Sequence, residues 1–320
     1  MNNCCANCYK PDPPFRCGAC KSRRYCSDFC KVQDWKQGGH KLWCGAAGEL
    51  GIDYEVRLTD CKEFGMFAMR NFQRGEKIAV EKPILSVSRQ DILLKNIKFD
   101  MLLKSQLDAV NALAPLNSTD LYNKISLNAM SGASSESYLM INLSRINHDC
   151  VGNSDHLFEE KHKLMLLIAG CEIKTGDEIT FSYSNLKPHF LLKEKWGIEC
   201  NCENLSKLEQ VNTLNNEIFH FGSTNQQDKA ISSAKELLKI YDELKFGVLS
   251  YSRTYYDLFS VSVSRKKTLS DAMIWIKKAV DEERLKYSGC KDQKLGSIEK
   301  YNKYMLNPSS HPNYLVGDPR

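Results

Sequence analysis

Cys5-Ala6-Asn7-Cys8, Cys17-Gly18-Ala19-Cys20, Cys26-Ser27-Asp28-Phe29-Cys30 and His40-Lys41-Leu42-Trp43-Cys44 open the chain. Seven cysteines and a histidine fall into four closely spaced pairs. Zinc takes soft or borderline donors at tetrahedral corners, and a two-residue gap lets one tight turn supply two of them. Eight donors fill two such sites. Cys4-x3-Cys8 is an alternative first pair, but Cys5-x2-Cys8 has the better spacing. Disulfides or unpaired buried cysteines are the competing uses. Close pairing without a secretion signal argues for metal in a reducing compartment, the cytoplasm and/or the nucleus.

The texture changes after Cys44. Gly45-Ala46-Ala47-Gly48 and Gly51 form a small-residue joint. Tyr54-Glu55-Val56-Arg57-Leu58 then alternates as a strand does. Further short strands are expected around Phe67-Ala68-Met69, over Lys77 to Glu81 and in the apolar run Ile84-Leu85-Ser86-Val87. Leu94, Ile97, Met101 and Leu102 recur at helical spacing, so residues 90–113 read as helix, stopped by Pro115. The Ser-rich stretch Ser131 to Ser137 reads as loop. Strands return at Asp155–Glu160, Leu164–Ala169 and Glu178–Tyr183. Beyond residue 206 the pattern is helical, with Ala234, Leu237, Leu238, Tyr241 and Leu244 on one face and a helix capped at Ser270-Asp271.

Three hundred and twenty residues suit two or three compact units. The net charge of +5 is mild. Seven thiolates and two zinc ions bring the finger's nominal +5 down to about +2. This argues against direct nucleic-acid binding. No apolar run is long enough to span a bilayer. A monomer is the default state.

Tyr25-Cys26-Ser27, Asp34-Trp35 and Gly39-His40-Lys41 make the finger closely resemble a MYND finger, an interaction module that binds proline-containing peptides in several proteins. The resemblance implies interleaved pairing, a cross-brace. Cys5, Cys8, Cys26 and Cys30 would share one zinc ion, and Cys17, Cys20, His40 and Cys44 the other. It makes Trp35 the candidate for peptide contact; packing against the short terminal helix is the other use of that ring.

Further motifs follow in a telling order: Lys62-Glu63-Phe64-Gly65-Met66-Phe67-Ala68, Asn128 in Ser126-Leu127-Asn128-Ala129, Ile146-Asn147-His148-Asp149-Cys150, and Gly176-Asp177-Glu178-Ile179-Thr180 with Tyr183 just beyond. Trp196-Gly197-Ile198-Glu199-Cys200-Asn201-Cys202 comes next. Each alone is weak. In this order they resemble a SET domain, the protein-lysine methyltransferase fold with a pseudo-knotted β-core. With the finger, the chain resembles the SET- and MYND-containing methyltransferases. Ser252-Arg253-Thr254-Tyr255-Tyr256-Asp257 and Asn307-Pro308-Ser309-Ser310-His311 look like C-terminal regions of fungal SET-domain proteins.

The resemblance implies an α+β fold. It places a MYND-type finger over 1–47, a SET domain over 54–205 and an α-helical C-terminal domain over 206–320. The SET domain would carry a helical insert at about 90–125 and a post-SET segment at 196–205. It further implies S-adenosylmethionine as methyl donor and the lysine of a histone or non-histone protein as substrate. Tyr183 would orient the amine. Asn147 and His148 would hold the donor, Lys62 and Gly65 would line its entry, and Asn128 and Tyr183 would touch it. Phe181 would wall the lysine channel.

Four departures from the family pattern stand out. Glu63 replaces a glycine, and Asp149 a serine. Cys150, Cys200 and Cys202 match three ligands of a third zinc, but the fourth position is Leu205, so that zinc is expected to be weak or absent. The finger precedes the whole SET domain instead of interrupting it. Glu63 and Leu205 favour the competing reading, a catalytically weak or inactive scaffold that recruits proline-containing peptides.

Overall fold

The computed structural model describes residues 2–60, 64–131, 136–183, 190–199, 202–292 and 294–318. The chain divides into two compact units. Residues 1–148, 154–181 and 289–292 form the first, and residues 149–153, 182–288 and 293–320 the second.

The first unit begins with the finger, a hairpin of β1 (Phe15–Arg16) and β2 (Arg24–Tyr25) followed by α1 (Asp28–Lys36) and α2 (His40–Trp43). Ser27 caps α1 by accepting from the Cys30 amide at 3.2 Å. Asp28 in the first turn and Lys36 in the last complement the helix dipole. Gly39, at φ +81°, makes the turn into α2. A Cβ there would lie 2.3 Å from Leu164 Cδ1, so the finger backbone presses directly on the central sheet.

The central strands are β3 (Tyr54–Leu58), β4 (Phe64–Ala68), β5 (Lys77–Glu81) and β6 (Leu85–Ser88). After α3 (Arg89–Leu93), α4 (Lys104–Asn111) and α5 (Leu121–Asn128) come β7 (Met130–Ser131), β8 (Glu136–Leu139), β9 (Asn147–His148), β10 (Ser154–Glu159), β11 (Leu164–Ala169) and β12 (Glu178–Phe181). They form sheets ordered β10-β11-β5, β3-β4-β12-β9 and β6-β8-β7. Every residue of β5 and β11 is buried, which explains their near-continuous apolar sequence. In the second sheet β12 pairs antiparallel with β4 and parallel with β9, so residues distant in sequence become neighbours.

The insert differs from the continuous helix expected over 90–113. It breaks into α3, a 3-10 turn at Phe99–Met101, and α4. A capping box between Ser88 and Asp91 starts α3, and Lys95 at φ +53° ends it. The apolar residues that suggested one helix, Ile97 and Leu102 among them, come from separate segments converging on Val110, Leu113 and Ile125. The Ser-rich stretch is likewise not all loop. Ser131 pairs with Ser137 across β7 and β8, and residues 132–135 lie outside the described residues.

The turn after α4 is held by cations. Lys124, fully buried on α5, donates to the carbonyls of Leu113 at 2.5 Å and Pro115 at 2.7 Å. Arg145 donates to the carbonyl of Ala112 at 3.1 Å. Helix C-termini leave carbonyls without partners, and buried ones need donors. A strap at residues 289–292 completes this unit. The Lys291 amide donates to Leu42 O at 3.0 Å, and Asp292 pairs with Lys161 at 2.6 Å and with His162 at 3.5 Å.

The second unit is helical: α6 (Phe190–Trp196), α7 (Leu205–Ser223), α8 (Gln227–Leu244), α9 (Val248–Ser262), α10 (Leu269–Lys286) and α11 (Ile298–Leu306). From α7 onward each helix packs on the next. Ala234, Leu237 and Tyr241 do face the core, as their spacing predicts. The cap of α10 is shifted, however. The helix starts at Leu269 behind Thr268, whose hydroxyl donates to Ser262 O at 2.6 Å, and Ser270 and Asp271 sit in its first turn. Among the described residues no helix is long and apolar enough to cross a membrane.

Candidate metal centres and cofactor site

The eight finger donors converge in two groups, Cys5, Cys8, Cys26, Cys30 and Cys17, Cys20, His40, Cys44, each with its ligand atoms within 4.8 Å of one another. The cross-brace arrangement is therefore present, and Cys5, not Cys4, falls within the donor cluster. Sulfur atoms at the corners of a zinc tetrahedron lie about 3.8 Å apart. Cys8 and Cys26 stand at 3.5 Å, Cys26 and Cys30 at 3.5 Å, and Cys17 and Cys44 at 3.9 Å. Cys20 Sγ is 3.7 Å from His40 Nε2. These cysteines carry no disulfides. Burial and the nearby Arg23 guanidinium lower the His40 pKa to about 4, keeping the imidazole in the neutral form that binds metal. The residues fit two zinc ions in donor type, number and spacing.

Trp35 is partly exposed beside this centre. Its ring meets His40 edge-on at 5.7 Å, and the Lys291 ammonium lies over it at 5.8 Å.

Three of the other motifs meet on the β4-β12-β9 part of the second sheet. Thr180 pairs with Asn147, and Phe181 with His148. The Asn147 amide donates to Glu178 Oε1 at 2.7 Å. A Cβ on Gly65 would stand 2.5 Å from Glu178 Oε1 and 3.1 Å from Asn147 Nδ2, so the absent side chain is what admits this pair. Asn147 and His148 are each half-buried. Phe181 is buried, and His156 of β10 leans on its ring at 4.6 Å.

Asn128 is placed differently. Its amide nitrogen donates to Ala114 O at 2.6 Å and Lys124 O at 2.8 Å, which uses its two protons on the turn after α4 and on its own helix. Lys62, Glu63 and Cys200 lie outside the described residues. Tyr183 belongs to the second unit, where its ring packs against Trp196 at 5.2 Å. Cys150 is buried and Cys202 half-buried in that unit. Leu205 opens α7 and offers no ligand. Asp149, which departs from the expected serine, accepts from the amides of Val151 at 2.9 Å and Gly152 at 3.2 Å. It builds the turn after His148, a task serine performs more weakly.

Two carboxylates escaped notice in the sequence. Glu178 fixes Asn147. Glu81, at the buried end of β5, accepts from the amides of Ile141 at 2.9 Å, Asn142 at 3.0 Å and Leu143 at 3.0 Å. It also accepts from the Tyr9 hydroxyl at 2.8 Å. Burial pushes the Glu81 carboxyl up, and those donors pull it back. The finger is thereby tied to the segment that leads into Asn147 and His148. The available signal was an acid closing a strand with an apolar middle, Ile78 to Val80.

The SET domain family model matches residues 63–184, and the MYND finger model matches residues 5–44. A curated relative, the histone-lysine N-methyltransferase set5 of Schizosaccharomyces pombe, is 27% identical over 185 residues, covering 52% of this chain and 56% of that protein. The chain thus spans little more than half the length of that relative. A solved structure from Plasmodium falciparum, assigned as a histone methyltransferase, is 15% identical, with a TM-score of 0.26 over 41% of this chain and 92% of the other.

Proposed function

We propose that this chain, which carries a MYND finger and a SET domain, transfers methyl groups to lysine side chains of proteins. S-adenosylmethionine would supply the methyl group from its sulfonium centre. The convergence of Gly65, Asn147 and Glu178 is the observation that carries this reading. Three separate motifs meet there, packed closely through Gly65 and beside the half-buried His148.

The residues then divide the work. Asn147 and His148 would hold the donor, largely by backbone contacts, with Gly65 beside its entry. Glu178 positions Asn147. Phe181 walls the channel for the substrate lysine, whose amine must shed a proton because its ordinary pKa is about 10.4. An apolar channel favours that neutral form. The Tyr183 hydroxyl orients the nitrogen for in-line displacement. The relative from fission yeast suggests histones as one substrate class, met in the nucleus or the cytoplasm. The MYND finger would recruit proline-containing peptides.

Incubating the protein with radiolabelled S-adenosylmethionine and a cell extract tests this. Wild type is expected to label protein. Tyr183→Phe and His148→Ala are expected to lower labelling by about 10²-fold or more. Labelling absent from wild type, or unchanged in both variants, refutes the proposal. Absence with peptide binding retained would favour the scaffold reading, to which the non-ligating Leu205 lends support.

A further inference from the structure

The His40 zinc centre has a neighbour from outside the finger. His40 presents Nε2 to the sulfur ligands, so Nδ1 points away from them. Glu49 Oε1 faces that nitrogen at 4.0 Å. Among the described residues no hydrogen bond is made by His40 Nδ1, and this carboxylate is the acceptor opposite it. The His40 side chain is 2% exposed and that of Glu49 12%, so the two meet away from bulk water. A small side-chain rotation or a single water closes such a gap.

Glu49 does not stand alone. Its other oxygen takes Arg23 Nη1 at 3.4 Å. Arg23 grips Asp34 through Nε at 2.7 Å and Nη2 at 3.1 Å, and Asp34 accepts from the Tyr25 hydroxyl at 2.7 Å. The backbone of Glu49 is equally fixed. Its amide donates to Asp53 Oδ2 at 2.8 Å, and Asp53 binds Arg70 at 2.6 Å. Next to it, the Gly48 amide donates to Lys77 O at 2.9 Å, joining this stretch to β5. Glu49 is thus held by the central sheet on one side and by the finger on the other. The Cys5, Cys8, Cys26 and Cys30 centre consists of thiolates alone and has no imidazole to orient.

We propose that Glu49 is a positioning residue for the second zinc ion: it holds the His40 ring with the proton on Nδ1 and the lone pair of Nε2 on the metal. The affinity of that ion then depends on a carboxylate that none of the four cysteines of the other centre needs. Partners of this kind set the tautomer and basicity of a ligating histidine, and losing one typically costs 10–100-fold in metal affinity.

The test uses the full chain loaded with two finger zinc ions, and it reads metal release to a colorimetric chelator. Wild type, Glu49→Gln, Glu49→Asp and the surface control Glu55→Gln are compared. In Glu49→Gln, which keeps the shape but loses the charge, one ion is expected to leave about 10–100-fold faster and the other at the wild-type rate. Glu49→Asp, which shortens the reach, is expected to behave alike, and Glu55→Gln as wild type. Cadmium-113 in place of zinc identifies the labile ion, because four-sulfur and three-sulfur, one-nitrogen sites resonate apart. Release of both ions at wild-type rates would overturn the proposal. So would equal acceleration of both, which would indicate general loosening of the finger, or loss of the four-cysteine ion first.

Discussion

His156 shows how one side chain can carry a pH dependence. It lies on β10 against Phe181, and burial lowers its pKa to about 4. Unfolded histidine titrates near 6.5, so between these values the unfolded chain binds more protons than the folded one. Stability from this group is full above about pH 6.5 and declines as pH falls toward 4. His156→Leu is expected to remove about 1–3 kcal/mol of that decline. Denaturant titrations at pH 7 and pH 5 measure it; equal pH dependence in both proteins would refute the assignment. Asn128 teaches the opposite lesson at the same scale. Its sequence context suggested a cofactor contact, yet both amide protons go to local carbonyls. An asparagine reads identically in sequence whether its partner is a ligand or a turn. Glu178 was passed over because its role depends on Asn147, 31 residues away.

Among elements, the turn between α4 and α5 depends on one lysine. Lys124 spans two buried carbonyls, and burial depresses its pKa. Lys124→Met keeps the stem but strands both acceptors. It is expected to cost roughly 2–3 kcal/mol in denaturant midpoint analysis, the scale of buried unsatisfied groups. A loss below about 0.5 kcal/mol would show that water replaces the ammonium. Strands were the elements most legible in sequence: Tyr54–Leu58, Lys77–Glu81 and Leu164–Ala169 fall where alternation or apolar runs put them. The insert was not legible as built. Apolar residues there satisfy helical spacing, but long-range packing around Ile125 decides their conformation, and Lys95 enters a left-handed turn that composition does not signal. The cap of α10 moved for a related reason, since the Thr268 hydroxyl was already committed to Ser262.

At the scale of the molecule, the eight metal donors were readable from their spacing, whereas their interleaved grouping into two centres was implied only by the resemblance and is seen in the fold. The proposed cofactor surface was readable only through resemblance, because its parts come from β4, β9 and β12 and meet through a parallel pairing that crosses the chain order. The finger meets the central sheet at Tyr9–Glu81 and Gly39–Leu164, and it meets α4 where Ser105 donates to Cys8 O. Metal analysis is expected to return two tightly bound zinc ions per chain. Stripping them should lower the melting temperature of the central sheet as well as unfold the finger. Each kcal/mol lost there corresponds to about 2–4 °C. A sheet transition that does not move on chelation would show the finger to be energetically separate.

The strap at residues 289–292 bears on how the molecule is made. It packs among Leu42, Ala46, Lys161 and His162, all of them far upstream. A ribosome that has released the finger and every central strand has still not delivered the last piece of the first unit. The helices α7 to α10 must emerge before Lys291 can reach Leu42. During synthesis this unit therefore waits, nearly complete but unfastened, while more than a hundred residues pass. A chain that stalled inside α10 would display the whole machinery with its final stitch missing.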